Sequence, residues 1–186
     1  YFAKLVRDAK LDMLEHDQRM IVASCARSTH GHSEHRVDVS SRAAEGYYRV
    51  QEALRREFPH LLLENCVNGG RMVDYGALQR CDYVCISDSY DRLNLRRAFY
   101  DSSYALPPGM CELYIANEPG PSLASFRTML RSGMMGLCVM MCDTGAWTPD
   151  QREAARREIE LYKRWTRPLI NHANLYHVSE RPDGLG

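Results

Sequence analysis

Five short apolar runs, each ending in polar residues, are the feature that most constrains the fold of this chain. They begin at Leu11, Leu61, Tyr83, Cys111 and Met135, so the last four starts lie 22, 28 and 24 residues apart. That spacing accommodates one strand and one helix per repeat. Successive residues within the runs are mostly apolar, which is typical of strands covered on both faces in a parallel sheet. The sequence therefore predicts the α/β class, with a parallel sheet and helices outside it.

The segments between the runs carry helix signals. Residues 148–151, Thr-Pro-Asp-Gln, combine an N-cap threonine, a proline at the first helical position and a glutamine three residues after the cap. Apolar residues recur behind this start at helical spacing and are expected to face the sheet: Ala155, Ile159, Tyr162, Trp165 and Leu169. Similar spacing predicts helices around residues 2–6 and 47–54.

The number of strands leaves two architectures open. A (β/α)8 barrel also alternates strands and helices and collects polar residues at the C-terminal ends of its strands. Such a barrel needs eight strands and about 250 residues, whereas this chain has 186 residues and five apolar runs. The residues alone are consistent with an open α/β sheet or with the later part of a barrel.

Charge and hydropathy exclude several functional classes. The chain has 24 basic and 24 acidic residues, a formal net charge of zero. We therefore expect no nucleic acid and no anionic membrane surface among its partners, because both require a surplus of positive charge. No apolar run approaches the roughly 18 residues that a membrane span needs.

The cysteines and the first residue bear on compartment and completeness. An odd number of cysteines lies mostly in apolar runs, so we expect buried thiols rather than disulfides or a zinc site. Buried thiols are typical of a reducing compartment and favour a cytoplasmic location. The chain begins with Tyr1 rather than Met, and we expect its N-terminus to lie upstream. The cysteines are Cys25, Cys66, Cys81, Cys85, Cys111, Cys138 and Cys142.

Polar residues at the ends of the runs are the candidates for chemistry. Residues i and i+2 of a strand share a face, so Glu15 and Asp17 are expected to point into the same space. Two carboxylates suit glycoside hydrolysis, in which one attacks or activates water and the other delivers a proton. They equally suit Mg²⁺ or Ca²⁺, or are solvated loop carboxylates. The complete set is Glu15, His16, Asp17, Glu64, Asn65, Cys66, Ser87, Asp88, Asn117, Glu118 and Asp143.

Two further features have competing interpretations. His30, His32 and His35 lie close together with Glu34, a composition that suits zinc. Their spacing fits no common ligand pattern, so we expect a polar surface loop. Trp147 follows a predicted strand end, where it would either stack on a sugar or pack against the body of the domain.

The stretch LLLENCVNGGRMVDYGALQRCDYVCISDSYD resembles the signature of glycoside hydrolase family 36, the melibiase-type α-galactosidases. That signature reads L-x-E-N-C-S-S-G-G-G-R-F-D, followed some twenty residues later by T-S-D-x-x-D. KLDMLEHDQ is similar to the family's D-Y-x-K-W-D-x-N, which aligns Asp17 with the second aspartate. The matching residues are Glu64, Asn65, Cys66, Gly69, Gly70, Asp74, Gly76, Ser87, Asp88 and Asp91.

The resemblance implies a fold. The family has a (β/α)8 barrel followed by a C-terminal β domain, and the chain corresponds to approximately strands 4–8. Residues 1–175 would be the C-terminal part of the catalytic barrel, and residues 176–186 the start of the β domain or a tail. Five barrel strands leave two open edges, so we expect the isolated fragment to be poorly soluble and inactive.

The resemblance also implies an activity. The chain would be part of a retaining α-glycoside hydrolase, similar to the α-galactosidases, that cleaves terminal sugars by double displacement. Asp17 would be the nucleophile and Asp88 the general acid/base, with no metal or other cofactor. A carbohydrate would be the partner, and a homo-oligomer is compatible with this assignment. The alternatives are another α-glycosidase or transglycosidase of the same clan, a non-catalytic carbohydrate-binding barrel, and a metal-dependent hydrolase that uses the same carboxylates.

The implied substrate-binding residues include departures from the family pattern. Glu15 stands where the family has Lys, His16 where it has Trp, and Arg19 where it has Asn. Arg71 lies one residue earlier than the family's Arg. Since those Lys and Asn positions hold galactose hydroxyls, other α-glycosides stay open as substrates. The implied sugar-binding set is Glu15, Arg19, Cys66, Asn68, Gly69, Gly70 and Arg71.

Overall fold

The computed structural model describes residues 1–17, 22–32, 38–71, 73–116 and 122–184. In this part of the chain five strands alternate with helices, and a strand lies in each of the five apolar runs. The alternation, with parallel strand pairs, confirms the predicted α/β class. The strands are β1 (Met13–His16), β2 (Leu62–Asn65), β3 (Tyr83–Cys85), β4 (Cys111–Ile115) and β5 (Leu137–Met140).

Helices lie where the apolar spacing predicts them, at residues 2–6 and 47–54 and from residue 149 onward, and others fill the remaining segments between strands. None of those in the described ranges is both long enough and apolar enough to cross a membrane. They are α1 (Phe2–Ala9), α2 (Val39–Glu57), α3 (Tyr75–Leu78), α4 (Arg92–Ser102), α5 (Leu123–Gly133), α6 (Pro149–Leu161) and α7 (Arg167–His172). Short 3₁₀ turns lie at Pro108–Met110 and Thr144–Ala146, and a π turn joins α6 to α7 at Tyr162–Thr166.

The chain divides into two compact units, Tyr1–Val84 and Cys85–Gly186. In the first unit β1 pairs in parallel with β2, from Met13 opposite Leu62 to His16 opposite Asn65, and β2 pairs in parallel with β3. Helices α1 and α2 cover one face. The buried cluster between them and the strands comprises Val6, Leu14, Leu54, Phe58, Leu61 and Leu63.

Strand β1 differs from the two-sided burial expected of a parallel sheet. Leu14 and His16 are buried, whereas Met13 and Glu15 are exposed. Tyr83 and Val84 of strand β3, which belong to the same unit, are both buried. The apolar run over β1 therefore corresponds to a strand that is covered on one face, and its other face carries the acidic side chains.

In the second unit β4 pairs in parallel with β5, from Glu112 opposite Leu137 to Ile115 opposite Met140. Trp147 is 7% exposed and packs edge-to-face on Phe126, with ring centroids 5.2 Å apart. This geometry decides between the two interpretations of Trp147: it belongs to the core and does not stack on a sugar. The surrounding cluster includes Ile115, Phe126, Leu130, Ala155, Tyr162 and Ile170.

Helix α6 begins as its sequence predicts, but its buried face shifts near the end. Thr148 and Gln151 form the reciprocal capping box. Tyr162 is buried, yet Trp165 and Leu169 are exposed and Ile170 is buried. The expectation that Trp165 and Leu169 face the sheet is therefore wrong. The π turn contains one more residue than an α-helical turn, so the inward face moves by one position.

A buried carboxylate ties α5 to α6. Glu158 accepts from Arg131 Nε at 2.8 Å and from Arg127 Nε at 2.7 Å. Hydrogen bonding to Arg131, followed by that to Arg127, outweighs burial and holds the pKa of Glu158 below its ordinary value. The ion pair therefore compensates the desolvation of this acid.

The segment after α7 lies along α4. Arg97 Nε donates to the carbonyl of Pro182 at 2.8 Å, and Arg181 forms a bidentate pair with Asp101. None of residues 173–184 is in a strand. The predicted start of a second domain at residue 176 therefore stays a prediction.

Candidate active site

The face of β1 that lacks a helix carries two carboxylates. Glu15 and Asp17 are exposed and alternate with buried Leu14 and His16. A carboxylate oxygen of each acid and Sγ of Cys66 lie within 4.8 Å of one another. Strand alternation thus places both acids on one face, as the i, i+2 spacing predicts, and the parallel pairing of β1 with β2 brings Cys66 beside them.

His16 points away from these acids. Its ring lies 4.8 Å from that of Phe2 and 4.9 Å from that of Tyr47, and its Nδ1 accepts from Gln51 Nε2 at 3.0 Å. The residue is 7% exposed. The replacement of the family's Trp by His16 therefore falls on the helix-covered side of β1, where it alters core packing rather than the face that bears Asp17.

A left-handed turn follows β2. Val67, Asn68, Gly69 and Gly70 have φ values of 40°, 50°, 62° and 91°. Glycine adopts such angles without steric cost, and asparagine tolerates them. A β-branched residue rarely does, so Val67 is strained and is held by its surroundings. Its side chain is 1% exposed.

This turn holds the candidate nucleophile. The backbone N–H of Asn68 donates to Oδ1 of Asp17 at 2.9 Å. Backbone donors in a tight turn attract anions, and a hydrogen bond to a charged acceptor is stronger than one between neutral groups. The contact that the structure describes for Asn68 is this main-chain contact with Asp17, and sugar binding by Asn68 stays a prediction. The sequence signal for this turn is the pair of adjacent glycines, Gly69 and Gly70, that follows the polar end of β2.

Two glycine substitutions, one in this turn and one in α2, are expected to change the free energy of unfolding in opposite directions. Gly69→Ala places a side chain at φ 62°, and we expect it to lower the free energy of unfolding by about 1–2 kcal/mol. Gly46→Ala, within α2, is expected to raise it by about 0.5–1 kcal/mol, because the added Cβ meets only Arg49 Nη2 at 3.9 Å. Thermal unfolding of the two variants beside the unsubstituted protein measures both. A stabilised Gly69→Ala variant contradicts the left-handed turn.

Several signature residues support the structure instead of lining the open face. Glu64 and Asn65 are buried, and Tyr47 OH donates to Asn65 Oδ1 at 2.6 Å. Asp74 caps α3 by accepting from the N–H of Ala77, and Asp91 caps α4 by accepting from the N–H of Asn94. These residues position the turns that carry Cys66 and Asp88.

In the second unit Asp88 lies exposed on the loop between β3 and α4. Sγ of Cys85 is 3.7 Å from Asp88 Oδ1, and Tyr114 OH donates to that sulfur at 3.3 Å. Burial raises the pKa of Cys85 to about 12, so the thiol stays protonated and donates to Asp88. Sequence reasoning missed Cys85 and Tyr114, since nothing local joins β4 to the Asp88 loop.

The remaining predicted residues are placed as follows. Gly69 and Gly70 form the second half of the left-handed turn, and exposed Arg71 follows it. Arg19, which was predicted to bind substrate, lies outside the described residues. The same is true of four other candidates: Glu34, His35, Asn117 and Glu118.

Relatives of known activity resemble this chain in sequence. An α-galactosidase of Escherichia coli is 29% identical over 140 residues, which cover 74% of this chain and 20% of that protein. The bifunctional α-galactosidase/sucrose kinase AgaSK of Mediterraneibacter gnavus is 27% identical over 138 residues, or 73% of this chain and 15% of that protein. The match to these two relatives thus spans about one fifth or less of their length.

Solved structures resemble it in fold. The α-galactosidase of Lactobacillus brevis matches 92% of this chain with a TM-score of 0.81 at 20% identity, over 23% of its own length. The galactosidase domain of AgaSK matches 96% with a TM-score of 0.79 at 24% identity, over 24% of its length. The strand count allowed either an open α/β sheet or part of a (β/α)8 barrel. These matches show that the fold is part of a (β/α)8 barrel.

The family assignment follows from a match along nearly the whole chain. The model of the Melibiase family covers residues 1–172, a range that contains β1, the left-handed turn and the Asp88 loop. The resemblance that the E-N-C-x-x-G-G and S-D motifs indicated is confirmed, and the chain belongs to the Melibiase family of glycoside hydrolase family 36.

Proposed function

We propose that the full-length protein is a retaining α-glycoside hydrolase that acts on α-galactosides, with Asp17 as nucleophile and Asp88 as general acid/base. The observation that supports this most strongly is the state of Asp17. Its carboxylate is exposed at the C-terminal end of a parallel strand, and a rigid backbone N–H from a left-handed turn holds one of its oxygens.

The proposed catalytic cycle has two chemical steps. In the first, a carboxylate oxygen of Asp17 attacks the anomeric carbon while the bond to the leaving oxygen breaks and Asp88 gives its proton to that oxygen. In the second, Asp88 takes a proton from water, the water oxygen attacks the anomeric carbon and Asp17 departs as a carboxylate. Two inversions leave the product with the configuration of the substrate.

The neighbours of each aspartate suit these roles. The Asn68 N–H binds one oxygen of Asp17 and restricts its rotation, so the other oxygen can be aimed at the substrate. Asp88 must give and take a proton in every cycle, and its carboxyl group is exposed to solvent, with the Cys85 thiol as a weak hydrogen-bond donor to Oδ1.

The galactoside assignment rests on the family and on the chemistry beside Asp17. The curated relatives are named α-galactosidases, and structures of AgaA variants from Geobacillus stearothermophilus are complexes with raffinose and with stachyose. Glu15 lies next to Asp17 and offers carboxylate oxygens that accept hydrogen bonds from sugar hydroxyls. We therefore expect a galactose hydroxyl to bind at Glu15.

The anomeric form of the first product tests this function. The full-length protein is incubated with α- and β-linked nitrophenyl galactosides and glucosides, and the product is followed by proton NMR before mutarotation. We expect turnover of the α-galactoside, with α-galactose as the first product. This turnover should persist in excess chelator. Initial β-galactose contradicts the double displacement, and loss of turnover on chelation favours the metal-dependent alternative. Binding of galactosides without turnover favours a carbohydrate-binding barrel.

A further inference from the structure

Residues 22–32 follow the strand that carries Asp17 and contain three side chains with metal-binding atoms. Sγ of Cys25 lies 3.5 Å from Nε2 of His30. The rings of His30 and His32 are 4.6 Å apart, inclined by 61°. One potential ligand atom from each of the three side chains lies within 4.8 Å of the other two. The cluster therefore has the dimensions of a single-ion site.

The distances match those of a tetrahedral zinc ion. Zinc binds thiolate sulfur at about 2.3 Å and imidazole nitrogen at about 2.0–2.1 Å, which places a sulfur and a nitrogen about 3.5 Å apart at the tetrahedral angle. The observed separation of Cys25 Sγ and His30 Nε2 has this value. His32 is the candidate third ligand, because its ligand atom is within 4.8 Å of the other two.

The surroundings of His32 point to a ligand. Both of its ring nitrogens are buried, and neither has a hydrogen-bond partner among residues 1–17, 22–32, 38–71, 73–116 and 122–184. Burial of an unpaired polar nitrogen is unfavourable. Coordination would satisfy one nitrogen directly and would orient the other toward an outer partner.

The ligand types select the metal. One thiolate and two imidazoles suit zinc, whereas Mg²⁺ and Ca²⁺ prefer oxygen ligands. Three protein ligands leave the fourth position of a tetrahedral ion open to water. His30 is exposed, so an ion can reach the cluster from solvent.

We propose that Cys25, His30 and His32 form a zinc site that fixes the loop after β1. The loop is already attached at one point, since Ser40 Oγ at the start of α2 donates to the carbonyl of Val22 at 2.8 Å. A metal bound eight to fifteen positions after Asp17 closes the loop at a second point. This role is independent of the hydrolase assignment, because the ion takes no part in bond cleavage.

Binding of Zn²⁺ and Co²⁺ to the metal-free, reduced full-length protein tests the site. We expect Co²⁺ to produce a thiolate-to-metal charge-transfer band and zinc to displace it, with one equivalent of this thiolate-bound metal per chain. Cys25→Ser should abolish the band. His30→Gln and His32→Gln should each weaken zinc binding by about 10-fold to 100-fold. Zinc should raise the thermal unfolding midpoint of the unsubstituted protein but not that of Cys25→Ser.

Two matched variants serve as controls. Cys142→Ser removes a partly buried thiol of the second unit, and His60→Ala removes an exposed histidine of the first unit. Both should keep the band and the affinity for zinc. Circular dichroism of the metal-free variants verifies their fold, and His30→Gln, at an exposed position, supplies the test if Cys25→Ser misfolds. No charge-transfer band, or a band and zinc affinity unchanged in the three site variants, overturns the proposal.

Discussion

Replacement of Asp17 by Asn in the full-length protein is expected to lower kcat for an α-linked nitrophenyl galactoside by at least about 10⁴-fold. The amide cannot attack the anomeric carbon, so no glycosyl-enzyme forms. Asparagine keeps the shape of aspartate, and its Oδ1 still accepts from the N–H of Asn68. The left-handed turn should therefore persist, and the loss should fall on chemistry rather than on folding.

External azide separates a missing nucleophile from a damaged site. In Asp17→Ala, azide occupies the space of the lost carboxylate and attacks the anomeric carbon once, so the product should be β-galactosyl azide. Asp8→Asn is the control, because Asp8 is an exposed residue of α1 that pairs only with Lys4 among the described side chains. Turnover of Asp17→Asn within 10-fold of the unsubstituted protein contradicts the role of Asp17.

Replacement of Asp88 by Asn is expected to produce a loss that depends on the leaving group. A sugar leaving group needs a proton, so hydrolysis of raffinose should fall by about 10²–10⁴-fold, the usual contribution of general acid/base catalysis. A nitrophenolate leaves without a proton, so formation of the glycosyl-enzyme from the nitrophenyl substrate should fall much less. Hydrolysis of the glycosyl-enzyme should then become rate-limiting, since Asp88 also activates water.

Azide rescue of an alanine variant at position 88 gives a distinctive product, and a nearby aspartate supplies the control. Azide needs no base, so in Asp88→Ala it should restore turnover and yield α-galactosyl azide, the opposite anomer to that from Asp17→Ala. Asp91→Asn is the control, because Asp91 caps α4 through Asn94 and asparagine is an equally good N-cap. Equal losses on raffinose and on the nitrophenyl substrate in Asp88→Asn contradict its role as general acid.

Features encoded by short-range patterns could be predicted from the sequence. The spacing of apolar runs locates all five strands, and the Thr148 to Gln151 pattern locates the start of α6. The i, i+2 relation of Glu15 and Asp17 predicts their shared face, because side chains of a strand alternate whatever lies around them. The motifs after β2 and β3 identify the family.

Features that depend on partners distant in the chain, or on the exact backbone conformation of a turn, could not be predicted. Trp147 belongs to the core because Phe126 is beside it, and Trp165 is exposed because a π turn shifts the helix face. The backbone N–H of Asn68 binds Asp17, 51 residues earlier, a contact that the motif does not indicate.

The amino-acid sequence by itself therefore determined the α/β class, the family and the two candidate catalytic aspartates, since periodicity and motifs are local properties of the chain. The tertiary structure alone decided that His16 faces the helices, that a backbone N–H holds Asp17, and that Cys25 joins His30 and His32. Each of these depends on side-chain direction and backbone conformation, which are set when strands pair and turns close, and which no residue pattern specifies in advance.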